Sequence, residues 1–153
     1  MPDWITHVAA AYFLAYGLKA EKKSLVVLGG LLPDLITKFT VFFRYVLPPD
    51  KLVGFDIFHT PLVALLVAIT IAPVFSFDYR KSVALISAGI ASHFLLDSLQ
   101  GPVGYMVLWP FSWESYTLGI IWSENLTPLA VTLLIVGIII IRKIKKNASC
   151  ETK

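Results

Sequence analysis

The three histidines of this 153-residue chain, His7, His59 and His93, share its apolar stretches with two aspartates, Asp34 and Asp97. An ionisable group in such a setting is costly unless it is paired, hydrated or bound to an ion. His93 and Asp97 are four residues apart, so on a helix they project from one face. Imidazole and carboxylate together suit zinc or another first-row divalent ion, and one or two such ions are expected. Depth strengthens the grouping. At about 1.5 Å of rise per helical residue, His7 lies roughly 18 Å from Lys19, Asp34 roughly 16 Å from Lys23 and His93 roughly 18 Å from Lys81. His59 falls roughly 21 Å from Pro73, and Asp97 one turn beyond His93. Four stretches thus carry a His or Asp to a common level. Asp56, three residues before His59, is a second candidate base beside Asp34, or else a helix N-cap before Pro61. A polar network that locks the helices, or a proton path, would use the same residue types.

The elements that must hold these groups are apolar. Hydrophobic residues make up 57% of the chain and charged residues 15%, with a mean hydropathy of +0.76. That excludes a disordered chain, a basic nucleic-acid-binding domain and an ordinary cytosolic enzyme. A single cysteine, Cys150, rules out an internal disulfide. Five apolar stretches run over residues 4–18, 24–46, 58–77, 82–99 and 126–141. Backbone groups in lipid are satisfied internally, so such runs predict an all-α fold, a polytopic transmembrane bundle of about five helices with the polar site among the first four. The helical domain is expected over residues 1–141, followed by a basic cytoplasmic tail over 142–153.

Ten of the thirteen basic residues fall on one side if the stretches alternate, among them Lys19, Lys22, Lys23, Arg80, Lys81 and the tail. The positive-inside rule then predicts an integral protein of the cell (inner) membrane with its N-terminus outside and C-terminus cytoplasmic. Residues 100–125 form the long outer connection, where Trp109, Trp113, Tyr116 and Trp122 suit an interfacial belt. Gly29-Gly30 and Pro33 predict a helix that opens just before Asp34.

Thr6-His7, Gly30-Leu31-Leu32-Pro33-Asp34, His59-Thr60-Pro61, His93-Phe94-Leu95-Leu96-Asp97 and Leu108-Trp109-Pro110-Phe111 follow one another in order. Together they resemble the membrane-bound metal-dependent hydrolases of the YdjM type, over residues 6 to about 111. The order of histidines and aspartates is also similar to part of the zinc-binding pattern of bacterial zinc-dependent phospholipase C and the P1-type nucleases. That similarity implies that Asp34, His59, His93 and Asp97 hold one metal, and that His7 with a bridging Asp97 helps hold a second. No histidine follows His93, so the third zinc site of those enzymes has no counterpart.

The resulting expectation is a metal-dependent phosphoesterase, with zinc as cofactor and a phospholipid or lipid-linked phosphate as substrate from the outer leaflet. Asp34 or Asp56 would take the proton from water, residues 102–113 would cover the site, and Arg44 is the nearby cation. Nucleic acid is not an expected partner. A divalent-metal or proton transporter would need a polar path to the cytoplasm, and a scaffold would need no metal at all.

Overall fold

A computed structural model of the chain describes residues 4–43, 57, 59–101, 104–122 and 127–151, and of residues 36, 39–43, 122, 128, 140–141 and 143–151 only the backbone. Asp56 and Arg44 lie outside the described residues. Among the described residues there are five α-helices: α1 Trp4–Gly17, α2 Lys23–Phe43, α3 Pro61–Ile71, α4 Tyr79–Ser98 and α5 Thr127–Glu151.

Each helix begins or ends for a local reason. Helix α1 closes where the Ala20 amide returns to the Ala15 carbonyl at 2.9 Å, with Lys19 in the left-handed region at φ 51. This is the wrapped helix end that usually employs glycine. Helix α3 starts at Pro61, whose missing N–H would be unpaired there in any case. Its N-cap is Thr60, so the capping role considered for Asp56 belongs to a different residue. Asp78 caps α4 by accepting from the Lys81 amide at 2.8 Å. Nearby, the Lys81 ammonium donates to Glu21 at 2.9 Å, which raises it above its ordinary range and ties the α1–α2 turn to the start of α4.

The core is built from small residues. Helix α1 buries Thr6, His7, Ala9, Ala11 and Ala15, and α3 turns Ala64 and Ala68 inward, followed by Ala72 in a short 3-10 turn. The contact between α2 and α4 is the most extensive, and α1 packs across both. At its centre the backbones touch. A Cβ on Gly89 would fall on the Val26 carbonyl oxygen and 2.9 Å from the Gly29 Cα; one on Gly29 would fall on the Ile86 carbonyl oxygen. A Cβ on the next residue, Gly30, would come within 2.6 Å of the Ala11 Cβ of α1. Three helices therefore meet at one glycine pair. Large apolar side chains point the other way: Leu62, Leu65, Leu66 and Ile69 of α3 and Val131, Leu133, Leu134 and Ile138 of α5 are exposed.

Four expectations change. Among the described residues, no helix is long and apolar enough to cross a membrane. Helix α1, at 14 residues, and α3, at 11, extend only about 21 and 17 Å. Helix α4 has 20 residues but includes Arg80, Lys81, His93 and Asp97. Second, α2 does not open at Pro33; it continues to Phe43 with the proline inside it. One lost amide donor is tolerated because the helix is held on either side by α1 and α4. Third, residues 100–125 are not a plain connection. Gln100–Gly101 (β1) pairs in parallel with Ile121–Trp122 (β2), Tyr105 bridges Tyr116, and the Thr117 hydroxyl bonds to the Gln100 carbonyl. Helix α5 also runs on past residue 141.

The glycine crossing makes a paired prediction. Gly89→Ala forces apart two backbones and should cost about 1–3 kcal/mol, as overpacking does. Gly137→Ala, where nothing lies within 4 Å of the added carbon, should be neutral or stabilising. Thermal unfolding of the two purified variants measures the difference; equal midpoints would show that the α2–α4 approach is looser than described.

Candidate metal centre

Four chain segments deliver the site. His7 sits one turn into α1 on the face that continues through Ala11 and Ala15. Asp34 follows Pro33 on α2, four residues after Gly30 and wholly buried. His59 immediately precedes the Thr60 cap of α3. His93 and Asp97 occupy successive turns of α4, just beyond the Gly89 crossing. All five residues predicted from sequence come together.

Asp97 is the hub. Its Oδ2 lies 2.8 Å from His59 Nε2 and 3.2 Å from His93 Nε2, and its Oδ1 lies 3.5 Å from His7 Nε2. The His7 and His93 rings stack with centroids 4.0 Å apart, and the His59 ring stands edge-on to His93 at 5.2 Å. Two sets of three, His7–His93–Asp97 and Asp34–His59–His93, each have ligand atoms within 4.8 Å of one another. An ion with bonds of 2.0–2.1 Å in tetrahedral geometry separates its ligands by about 3.3 Å. The separations of His93 and His7 from Asp97 lie close to that.

Two observations test whether the residues fit a cation. The first is His93, whose Nδ1 lies 2.8 Å from the Gly30 carbonyl and so donates its proton there. In the neutral ring this leaves the Nε2 lone pair facing the Asp97 carboxylate, which is unfavourable unless a positive charge lies between them. A backbone carbonyl that fixes the tautomer is the usual support of a metal-bound histidine. The second is the number of buried polar atoms without a hydrogen bond: both nitrogens of His7, both oxygens of Asp34, His93 Nε2 and Asp97 Oδ1. Buried polar groups are normally paired, so this concentration in one place marks a missing partner. The groupings fit a divalent ion. Because both share His93, and His93 has only Nε2 to offer, they describe one centre more readily than two independent ones.

Three neighbours were not foreseen from sequence. The Thr37 hydroxyl donates to the Pro33 carbonyl at 2.9 Å and lies 3.4 Å from His59 Nδ1. Lys38, four residues after Asp34, holds its Nζ 3.8 Å from Asp34 Oδ2. Both lie one turn beyond Pro33-Asp34, a spacing that was legible in the sequence. Tyr105, from the loop over the site, donates to the Phe94 carbonyl at 2.6 Å and sets its ring 6.3 Å from His59. Burial, with the Asp97 charge, pushes its phenol above the ordinary range, so it stays a donor. No local pattern pointed to Tyr105. Among the described residues of the expected lid over 102–113, Tyr105 reaches the site, while Phe111 and Trp113 face outward.

Elemental analysis of purified protein tests the centre. Wild type should hold about one zinc or similar divalent ion per chain, Asp97→Ala should hold little, and the distant Lys81→Ala should match wild type. Equal content in all three would remove the site.

The sequence profile of the YdjM inner membrane protein family matches residues 1–151. The match extends beyond the motifs between residues 6 and 111 and takes in α5. No curated protein and no solved structure matches the chain. The likeness to zinc phospholipases therefore rests on the order of residues alone. With the profile covering all but the last two residues, the chain belongs to the YdjM inner membrane protein family.

Proposed function

We propose that this protein is a membrane-embedded, metal-dependent hydrolase of phosphoesters, acting on a phospholipid or a lipid-linked phosphate. The observation that carries the proposal is Asp34: a carboxylate with no exposure and no hydrogen bond, within ligand reach of the His59 and His93 imidazoles. His7, His59, His93 and Asp97 would hold a zinc-like ion, with Asp34 contributing one oxygen. When bound, such an ion supplies acidified water at neutral pH and polarises a phosphoryl oxygen. The second oxygen of Asp34 accepts the proton released by the attacking water. Gly30 keeps His93 in the tautomer that points Nε2 inward, and Tyr105 closes the side of His59. Asp56 is a further candidate base by its place in the sequence.

Embedding in lipid accounts for the surface. Helices with small residues inside and leucine, isoleucine and valine outside suit a solvent of acyl chains, where close backbone contact drives association. A bundle spanning the membrane, with its N-terminus outside and the site in the outer half, agrees with the basic residues at the opposite end. A transporter that uses the same ligands is less well supported. Below the cluster the interior is Val26, Ile86, Ala11 and Ala15, closed by the Gly29–Gly89 contact, with no ionisable side chain among them.

A panel of phosphodiesters, phosphomonoesters and vesicle phospholipids, assayed with and without chelator, tests the reaction. Turnover should fall at least about 100-fold with chelator and in Asp34→Asn, the scale of a lost general base. Chelator-insensitive turnover, or none across the panel by a zinc-loaded protein, would end the hydrolase reading. Orientation is separable: the single cysteine, Cys150, should react with an impermeant maleimide in inverted membrane vesicles and not in intact spheroplasts. The reverse pattern would place the C-terminus outside.

A further inference from the structure

Lys38 occupies an unusual position for a surface lysine. Its side chain is 45% exposed, yet its ammonium lies 3.8 Å from the wholly buried Asp34 carboxylate and 4.5 Å over the ring of Trp4. It stands between the cluster and the exterior. A lysine serving only as a fixed counter-ion would donate a charge-assisted hydrogen bond at about 2.7–2.9 Å. Here the separation is an ångström longer, and both Asp34 oxygens lack a hydrogen bond. The ammonium is held in place by charge and by the aromatic face without being committed to either.

From this geometry we infer that Lys38 is the anion-recognising residue of the site, and that the anion it selects is a singly charged phosphodiester. The inference rests on the hydrolase reading for what the anion is, and on the structure for where it is bound. Charge balance supplies the selectivity. Asp34 and Asp97 together cancel one divalent ion, and neutral histidines add nothing, so among the described residues at the centre the Lys38 ammonium is the charge left over. At the edge of a buried centre a ligand that balances this one charge is favoured, so the complementary ligand carries one negative charge. A phosphodiester does. A phosphomonoester brings two charges, and a carboxylic ester none.

The movement required is small. Once a cation shares Asp34, the pull of that carboxylate on the ammonium weakens. The lysine stem is flexible and its three donors rotate freely, so Nζ can turn from Asp34 and the Trp4 ring to a phosphoryl oxygen arriving from the exposed side. Trp4, itself partly exposed, then loses its cation and becomes an apolar wall for the substrate's ester group.

The test uses the zinc-loaded full chain, with Lys38→Met and Lys38→Arg, and diethyl phosphate as a non-hydrolysed monoanion. Binding is followed by tryptophan fluorescence and by competition, with zinc content measured in parallel. Wild type should bind diethyl phosphate, Lys38→Met should bind it at least tenfold more weakly with zinc unchanged, and Lys38→Arg should recover most of the affinity. In turnover, Lys38→Met should raise KM for a soluble phosphodiester and for vesicle phospholipid while leaving any activity on a neutral nitrophenyl ester alone. A larger loss in the vesicle arm than with the soluble diester would identify the lipid headgroup as the source of the anion. Equal binding by wild type and Lys38→Met, or no binding by zinc-loaded wild type, would overturn the inference. Zinc loss in Lys38→Met would overturn it too, showing Lys38 to be part of the ligand support. Lys38-dependent binding without any turnover would sink the hydrolase reading and leave this one standing; turnover of diesters indifferent to Lys38 would do the opposite.

Discussion

Helices α2 and α4 cross at backbone contact, and the polar centre depends on that closeness. With Gly29, Gly30 and Gly89 at the crossing, the Gly30 carbonyl comes within 2.8 Å of His93 Nδ1 on the opposing helix. A side chain on Gly29 or Gly89 would separate the helices and withdraw the carbonyl, and one on Gly30 would press against Ala11 of α1. The imidazole would then lose the partner that fixes its tautomer, and Asp97, one turn on, would move with it. Packing and chemistry are therefore one constraint here: the contact that excludes lipid and water from the core also aims the ligand nitrogen.

The cluster it creates is unstable by the ordinary rules of protein interiors. Two carboxylates and three imidazoles are gathered with few donors among them, and six of their polar atoms lack a hydrogen bond. Such an assembly persists only where a cation, a proton or a substrate completes it. Its surroundings are arranged to allow that. The floor is apolar and sealed at the glycine crossing, whereas His59, Lys38, Trp4 and Tyr105 lie at the other end of the cluster.

The outer surface carries the complementary message. A helical protein in water hides most of its leucines and isoleucines; this one buries Leu25, Leu32, Ile86, Ile90 and Phe94 among many alanines, and exposes much of the leucine, isoleucine and valine of α3 and α5. Where the surrounding medium is itself hydrocarbon, burying large apolar groups gains little, and the tightest packing is reached by the smallest residues. The family match, an inner membrane family, and the surface point the same way. The length criterion fails for different reasons in different helices. Helices α1 and α3 are short, and α4 interrupts its apolar run with the very residues that build the site.

The sequence by itself determined that the chain is helical, that it is too apolar for an ordinary soluble domain, and which five residues would meet. Those conclusions follow from residue type, from the 3.6-residue period and from rise per residue, all of which are local. The helix starts and the ends of α1, α2 and α4 within a few residues, and the turn at residues 18–22, were legible for the same reason; the ends of α3 and α5 were not. Tertiary structure decided the rest. Whether Pro33 breaks α2 depends on neighbours that support it, and the identity of the α3 cap depends on where the chain enters the helix. The reach of Lys38 to Trp4, the descent of Tyr105 from its loop and the choice of the Gly30 carbonyl as partner for His93 all join residues distant in the chain or on facing helices. Such contacts are fixed by how closely two backbones approach, and that distance is a property of the packed helices which no single stretch of sequence contains.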